Sequence, residues 1–225
     1  MFVGMWMTEN LVTAAPSDKL EEIAHCMAHR RIRRLPVVEP TPDGMLLLGL
    51  ISHSDVLHAF PLDINPFSAV ANDMLASRVS LRPLSIVIAA DIMCTDLATT
   101  VPEQPIEQAA KMMRDRKIGA LPVVRGKHLV GLITESDIFR AFTSIFESTS
   151  PGVRLTFDIS RGEDVFPLIS SLVTQHHLQL VTFATLQKHV RPACVVEISG
   201  QETEALVEDV WGSGHPVVSV IKIQG

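Results

Sequence analysis

The chain has 225 residues, 47% hydrophobic and 20% charged, enough apolar material for two or three folded domains and too much for a disordered protein. The formal net charge of -6, from 19 basic and 25 acidic side chains, argues against a nucleic-acid-binding protein. No window is long and apolar enough to span a membrane, and the opening MFVGMWM lacks the basic flank of a signal peptide. We therefore expect a cytoplasmic protein.

An internal repeat organises the first two thirds of the chain. Residues 7–38 align with residues 93–124 at an offset of 86, and both segments close on LPVV. Farther on, GLISHSDVLHAF (49–60) aligns with GLITESDIFRAF (131–142) at an offset of 82. The slip of four residues falls in a turn, EPTPDGM against RGKH, where an insertion loses few contacts. This part of the chain is therefore a duplicated module.

Both repeats predict the same order of elements. In the first, a short apolar strand at 11–14 ends before Pro16, and Ser17 or Asp18 then caps a helix. The apolar positions of that helix recur at helical spacing: Leu20, Ile23, Ala24, Met27 and Ile32. LPVV and MLLLGLI follow as a hairpin, and a second helix runs from SHSD to about Phe60. The order β-α-β-β-α occurs twice, so two undersized halves should pack about a pseudo-twofold axis.

The remaining residues form a connection and a different domain. Residues 61–90 connect the repeats and contain a predicted turn at Asn65-Pro66 followed by a short helix, to which no function is assigned. From residue 151 onward the strands and helices are VRLTFDI, EDVFPLISSLVTQHH, LQLVTFATL, RPACVVEIS, QETEALVEDVW and VVSVIKI. This β-α-β-β-α-β order is ferredoxin-like. The predicted fold class is α+β, with repeats at 1–60 and 91–148 and a third domain at 151–225.

The segments GLITESD and GLISHSD carry the clearest chemical signal. Thr134 begins a predicted helix whose free N–H groups favour a phosphate, and Asp137 lies one turn on, where a carboxylate can accept bonds from ribose hydroxyls. The same spacing also fits a capping box, in which Thr134 caps the helix and Asp137 reaches back to the cap N–H, in a protein that binds nothing. The two roles are compatible at one helix N-terminus.

LPVV followed by Gly-apolar-apolar-Thr/Ser-x-x-Asp, present twice, resembles the cystathionine β-synthase (CBS) domain, and two in tandem resemble a Bateman module. The last 75 residues resemble an ACT domain in element order, and the whole arrangement is similar to the acetoin-utilisation group of small regulatory proteins. The resemblance implies a homodimer that binds AMP, ADP, ATP or S-adenosylmethionine between the CBS repeats and needs no cofactor. It also implies a regulated partner protein, which the sequence does not identify.

The resemblance assigns ligand contacts to each repeat. In the second repeat the expected contacts are Thr134, Asp137, Ala120, Leu121, Pro122, Thr99, Met93 and Arg140. In the first repeat they are Ser52, Asp55, Arg34, Leu35, Pro36, Thr13 and Met7. Arg33 and Arg34 could pair with a phosphate or could be solvated, whereas Gly119 and Ala120 leave room for a bulky base. We therefore expect two sites with different ligand preferences.

The third domain carries a second candidate site at DISRGED, residues 158–164. Asp158 and Gly162 resemble the Asp-x-x-Gly turn near which ACT domains bind amino acids, with one additional residue between them. One alternative is an amino-acid sensor, and another is a dimerisation domain whose edge strands pair between subunits. A ligand-free structural adaptor, with both clefts plugged by side chains, is a further alternative.

Catalytic and metal signatures are lacking in the sequence. GxSxG, Walker A and GxGxxG patterns do not occur, so we expect a protein that is not an enzyme. The three cysteines include no CxxC pair, and His25 and His29 have no carboxylate placed to complete a metal-ligand set. We therefore expect neither a disulfide framework nor a metal site.

Overall fold

The computed structural model describes residues 1–60, 67, 87–145, 150–187 and 191–224, and the chain divides into two compact units, Met1–Arg140 and Ala141–Gly225. The turn at Asn65-Pro66 and the helix predicted after it lie outside the described residues. The described strands form two four-stranded sheets, one in each unit, so the fold is mixed α and β.

The first unit contains both repeats except for the last residues of the final helix, which continues past Arg140. The first repeat comprises a 3-10 turn (Val3–Met5), helix α1 (Leu20–Arg30), strands β1 (Arg34–Thr41) and β2 (Gly44–Ser52), and helix α2 (His53–Ala59). The second repeat comprises helices α3 (Ala89–Ile92) and α4 (Ile106–Arg116), strands β3 (Ala120–Arg125) and β4 (His128–Thr134), and helix α5 (Glu135–Thr143). The strands form one antiparallel sheet in the order β1-β2-β4-β3, so both predicted hairpins are confirmed.

The strand expected at the start of each repeat is wrong. In the first repeat it is reduced to a single bridge, in which Ala14 runs parallel to Val37 of β1. The second repeat has the equivalent bridge between Thr100 and Val123 of β3. Extended pairing stops there because the residues before these bridges cross to the other repeat, as described below.

The predicted cap of α1 is also wrong. The N-cap is Lys19 rather than Ser17 or Asp18. The Asp18 carboxylate instead accepts a 2.8 Å hydrogen bond from the Ala15 N–H, which closes the turn before the helix. A polar residue near a helix start can stabilise either the turn or the cap, and the pattern does not distinguish the two.

The leading segment of each repeat, which comprises the residues before the bridges at Ala14 and Thr100, completes the sheet of the other repeat. β2 and β4 pair at one position and then diverge. Along the edges released in this way, Thr8 exchanges two 2.9 Å backbone hydrogen bonds with Leu132 of β4, and Cys94 exchanges two 3.0 Å bonds with Leu50 of β2. The exchange gives the first unit the predicted pseudo-twofold arrangement.

The glycines of GLISHSD and GLITESD make room for this exchange. A Cβ on Gly131 would lie 2.6 Å from the Sδ of Met7, and a Cβ on Gly49 would lie 2.5 Å from the Sδ of Met93. Each methionine lies near the start of one repeat and packs against the strand of the other. The glycine therefore has a packing role that is independent of any ligand.

The core of the first repeat forms between α1, α2 and one face of β1 and β2. On α1 the predicted residues Leu20, Ile23, Ala24 and Met27 are buried at helical spacing, whereas Ile32, predicted on the same helix, lies beyond its end at Arg30. The buried members of the cluster are Ala14, Leu20, Ile23, Ala24, Met27, Leu35, Val37, Ile51, Val56, Phe60 and Ala89. Along β1 the residues of the opposite face are turned away from this core, which leaves them for the site described below.

The second unit comprises β5 (Gly152–Asp158), α6 (Phe166–Gln175), β6 (Gln179–Leu186), β7 (Ala193–Ser199), α7 (Glu204–Gly212) and β8 (Val217–Ile223). The strands pair antiparallel in the order β6-β7-β5-β8. Both helices pack apolar side chains against the same face of this sheet. The buried residues of the resulting core, from strands and helices together, are Val153, Leu155, Phe157, Val165, Ile169, Leu172, Cys194, Val196, Ile198, Leu206 and Val210. The element order matches the prediction, and the arrangement is compatible with a ferredoxin-like domain.

A charged pair lies on the opposite face of the second sheet. Arg154 on β5 donates two hydrogen bonds, of 3.0 and 2.7 Å, to Oε2 of Glu197 on β7. Glu197 is fully buried. A buried carboxylate is tolerated only when a partner compensates its lost hydration, so the pair constrains the pairing of β5 with β7.

We expect Arg154→Ala to lower the free energy of unfolding by about 3 kcal/mol, because it leaves the buried Glu197 carboxylate without its cation. The matched control is the double variant Arg154→Met with Glu197→Leu, which removes both charges and should be less destabilised. Urea unfolding followed by circular dichroism measures both. Equal losses in the single and double variants would contradict this account.

The three cysteines should differ in reactivity. Cys94 is exposed, whereas Cys194 is buried, and burial together with the nearby Asp164 charge raises the pKa of its thiol to about 11. At pH 8 the Cys94 thiol should therefore react with Ellman's reagent within minutes, while Cys194 should react only after unfolding in guanidinium. Cys94→Ser should remove the fast phase, and a fast phase that remains in this variant would contradict the assignment.

Candidate functional site

Two clefts open in the first unit, and each combines residues of both repeats. The first cleft has a volume of about 670 Å³ and is lined by Thr8, Asn10, Leu11, Val12, Arg31, Ile32, Arg33, Arg34, Pro36, Gly119, Leu132, Thr134, Glu135, Ser136 and Asp137. The second has a volume of about 230 Å³ and is lined by Arg34, Leu50, Ser52, Asp55, Cys94, Asp96, Leu97, Ala98, Lys117, Ile118, Gly119, Ala120 and Pro122. Most residues that line one cleft have their repeat equivalents in the lining of the other, such as Asn10 and Asp96 or Thr134 and Ser52.

The grouping of contacts by repeat is not what the structure shows. Thr134 and Asp137 lie in the cleft that contains Arg34 and Pro36 of the first repeat. Likewise, Ser52 and Asp55 share the other cleft with Ala120 and Pro122 of the second repeat. Thr134 remains paired with Ala120 of its own repeat, and Ser52 with Arg34, so each cleft is lined by the helix start of one repeat together with strand side chains of the other.

The helix start in the first cleft is a closed network. Asp137 Oδ2 accepts hydrogen bonds from the Thr134 N–H (2.9 Å) and hydroxyl (2.7 Å), and the Asp137 N–H donates to Thr134 Oγ1 (3.4 Å). The capping role predicted for these residues is therefore confirmed. Arg140 donates a 2.9 Å bond to the other carboxylate oxygen, and its guanidinium lies 5.9 Å from the ring centroid of Trp6. A ligand hydroxyl at Oδ1 must therefore compete with Arg140.

The equivalent helix start in the second cleft has the same reciprocal cap. The Ser52 N–H donates a 2.7 Å bond to Asp55 Oδ2, and the Asp55 N–H donates a 3.3 Å bond to Ser52 Oγ. Without a ligand, each cap satisfies the N–H of the cap residue and the N–H of the aspartate three residues on. The repeated Thr/Ser-x-x-Asp pattern is thus structurally required whether or not either cleft binds a small molecule.

Strand alternation separates the expected strand contacts. Arg34 and Pro36 face the first cleft, but Leu35 points the other way into the core. Leu121 is likewise fully buried. The side chains of both leucines are therefore removed from the expected site, because neighbouring strand residues face opposite sides of the sheet.

Five other expected contacts do not line either cleft in the described part of the chain: Met7, Met93, Thr13, Thr99 and Arg140. Met7 and Met93 pack against Gly131 and Gly49 instead. The equivalent stretches 10–12 and 96–98, just before the two threonines, line the clefts in their place.

Two basic residues of the clefts were not identified from the sequence. Arg31 lies in the first cleft and Lys117 in the second, and both adopt left-handed backbone conformations with φ of 55° at the ends of α1 and α4. They are equivalent under the 86-residue offset, and this pairing of two basic residues at helix ends was the available signal. The left-handed conformation ends each helix at the cleft wall.

The charge of the two clefts differs. The first contains Arg31, Arg33 and Arg34 against Glu135 and Asp137, whereas the second contains Arg34 and Lys117 against Asp55 and Asp96. At the start of α2, burial lowers the pKa of His53, and the positive charges of Arg33 and Arg34 lower it further. The positive potential of the arginine pair therefore extends to the helix start of the first repeat.

The second unit contains a separate cavity of about 410 Å³ beside the turn at 158–164. Gly162, with φ of +84°, and Ser160 contribute to its lining. Asp158 does not line it. Its carboxylate accepts a 2.8 Å bond from the Ser160 N–H, and the hydrogen bonds from Ser160 lower the pKa of Asp158. Asp158 therefore shapes the turn, and Gly162 supplies its left-handed residue.

Among the described residues, no group of three or more histidine, cysteine or carboxylate side chains is placed to hold a metal ion. None of the described helices is both long and apolar enough to cross a membrane.

Comparison with known proteins places these features in a family. The family model described as CBS domain matches residues 3–62 and 89–144. Over 177 residues the chain is 29% identical to an inosine-5'-monophosphate dehydrogenase from Korarchaeum cryptofilum, which covers 75% of this chain and 32% of the dehydrogenase. It is 30% identical over 129 residues to the 5'-AMP-activated protein kinase subunit gamma-3 of Bos taurus, covering 57% of this chain and 24% of that subunit.

The chain is also similar to a solved structure. The crystal structure of a putative acetoin utilization protein from Vibrio cholerae matches with a TM-score of 0.51 and 27% identity, covering 65% of this chain and 93% of that one. The two ranges matched by the family model, 3–62 and 89–144, coincide with the two repeats. The chain therefore belongs to the CBS domain family, and its repeats form a tandem CBS pair.

Proposed function

We propose that this chain is a non-enzymatic regulatory protein that senses a phosphorylated adenosyl ligand in the first cleft. The observation that carries the proposal is the juxtaposition, in one open cleft of about 670 Å³, of a helix N-terminus and three arginines. Ligand pockets have volumes of roughly 300 to 1,000 Å³, so the first cleft has room for a whole nucleotide, and the second, at about 230 Å³, is the smaller of the two. The open first cleft also disfavours the ligand-free adaptor, whose clefts would be plugged.

The residues of the first cleft suit the parts of such a ligand. Leu11, Val12 and Ile32 offer apolar walls for an adenine base. Asp137 offers its carboxylate to the ribose hydroxyls in exchange for Arg140. The phosphate would lie between the helix start at Thr134 and the guanidinium of Arg34. AMP is the first ligand to test, because the related kinase subunit is named for activation by AMP.

Helix α5 offers a route for the regulatory signal. Its N-terminus lies at the first cleft, and its last residues, from Ala141, belong to the second unit. Beyond the helix, the Ile145 carbonyl accepts a 2.6 Å hydrogen bond from the Thr182 hydroxyl on β6. A ligand that binds one position of α5 better than another would shift this connection.

The proposed division of the chain assigns 1–60 and 91–148 to the CBS repeats, 61–90 to their connection and 151–225 to an ACT-like domain. We further propose that this domain makes the protein a homodimer. Strand β8 ends the second sheet and exposes Val218 (64%) and Ile221 (53%). An exposed apolar edge strand is a template for pairing with a second copy.

AMP at 100 times its Kd should raise the melting temperature by about 5 °C or more, since ligand binding at that excess adds about 2.7 kcal/mol to stability. Asp137→Ala should abolish most of the shift. Asp55→Ala is the matched control, because it removes the same kind of cap from the other helix and should retain the shift. Differential scanning fluorimetry measures all three proteins.

The protein must first be freed of co-purified small molecules, which mass spectrometry of the released material can verify. ADP, ATP and S-adenosylmethionine are tested beside AMP. If none of the four ligands changes the melting temperature of the folded protein, the sensor proposal is wrong.

A second candidate function rests on the cavity of the second unit. Glu163 and Asp164 lie in its lining, which favours a ligand with an ammonium group such as an amino acid. Screening the amino acids by thermal shift on the full chain should find one that stabilises it. Thr185→Trp fills the cavity and should remove that shift, whereas Leu186→Trp, at the neighbouring position outside the cavity, should keep it. Absence of stabilisation by any amino acid would contradict this function.

A further inference from the structure

A single arginine stands between the two clefts. Arg34 lines both of them, and so does Gly119. The equivalent of Arg34 in the second repeat is Ala120, so the pseudo-twofold arrangement supplies no second guanidinium at this place. The first repeat thus contributes one cation that both clefts share.

Gly119 allows Arg34 to reach this position. A Cβ on Gly119 would lie 3.1 Å from Nη2 of Arg34 and 3.1 Å from Oε2 of Glu135. Any residue with a Cβ at position 119 would therefore crowd the Arg34 guanidinium. Nη1 of Arg34 donates a 3.0 Å bond to the Arg33 carbonyl, which anchors one end of the guanidinium above the gap.

The remaining cations are divided between the clefts. Arg31 and Arg33 line the first cleft only, and Lys117 lines the second only. The first cleft therefore has two basic residues of its own and the second has one, and both share Arg34. The second cleft also contains the carboxylates of Asp55 and Asp96, so loss of Arg34 leaves it with a single basic side chain against two acidic ones.

We propose that Arg34 makes the two clefts compete for phosphorylated ligands. This inference rests on the proposed nucleotide binding. A guanidinium makes its strong bidentate contact with one phosphate at a time, so a phosphate in either cleft draws Arg34 toward that cleft and weakens the other. By linkage, the two clefts weaken each other by the same factor. Adenosine has no phosphate to bind the guanidinium of Arg34, so its binding in one cleft should not weaken its binding in the other.

The test isolates each cleft with a plug at equivalent positions. Asn10→Trp closes the first cleft and Asp96→Trp closes the second, and both residues are exposed, so neither change disturbs the core. Isothermal titration calorimetry with AMP then gives one dissociation constant for each plugged protein and two for the wild type. The product of the wild-type constants divided by the product of the single-cleft constants is the coupling factor, free of any intrinsic difference between the clefts.

We expect a coupling factor of about 10 with AMP, in the usual range for allosteric coupling. The factor should fall to about 1 in Arg34→Gln, and to about 1 in the wild type when adenosine replaces AMP. Arg33→Gln is the matched control, because Arg33 lines only the first cleft. It should weaken that cleft for AMP and leave the coupling factor near its wild-type value.

The outcomes separate this inference from the proposed function. A factor near 1 with AMP, while both plugged proteins still bind it, overturns the competition and leaves nucleotide binding standing. Binding in Asp96→Trp but not in Asn10→Trp also overturns it, since the second cleft is then no site. If the wild type takes up one AMP while both plugged proteins bind, competition is stronger than expected. Absence of binding in every protein overturns both proposals.

Discussion

The backbone exchange between the repeats determines the rest of the first unit. Thr8 pairs with Leu132, and Cys94 pairs with Leu50, so each leading segment is built into the sheet of the other repeat. Neither repeat could keep this pairing alone, because its own strand edge would lose the segment that covers it. The exchanged segments also line the two clefts, with Thr8 in the first and Cys94 in the second.

The same helix starts must both cap their helices and, in the proposed function, bind a ligand. In the structure Asp137 already receives the Thr134 N–H, the Thr134 hydroxyl and the Arg140 guanidinium. A stable cap of this kind keeps the helix formed in the absence of a ligand. A bound ribose can replace only the Arg140 contact without opening the cap. The proposed ligand therefore acts on the hydrogen bond between Arg140 and Asp137, within a helix that continues into the second unit.

Local features were predictable from the sequence, and those that depend on the partner segment were not. Both hairpins and the Thr/Ser-x-x-Asp caps were predicted correctly, because turn chemistry and capping involve residues close in the chain. The strand at 11–14 was wrong because the pairing partner of Thr8 lies more than 100 residues away, on β4. The cap of α1 was wrong because Asp18 satisfies a turn instead.

The sequence by itself determined the duplication, the order of elements after each leading segment, and the chemistry of the residues at the helix starts, since all of these depend on periodicity and local hydrogen bonding. Only the tertiary structure decided which residues meet. It placed Thr134 in the first cleft with Arg31, turned Leu35 into the core, and left Ala120 and Lys117 lining the second cleft. The physical reason is that a duplicated sequence is compatible with pairing inside a repeat or between repeats, and only the packed sheet distinguishes them.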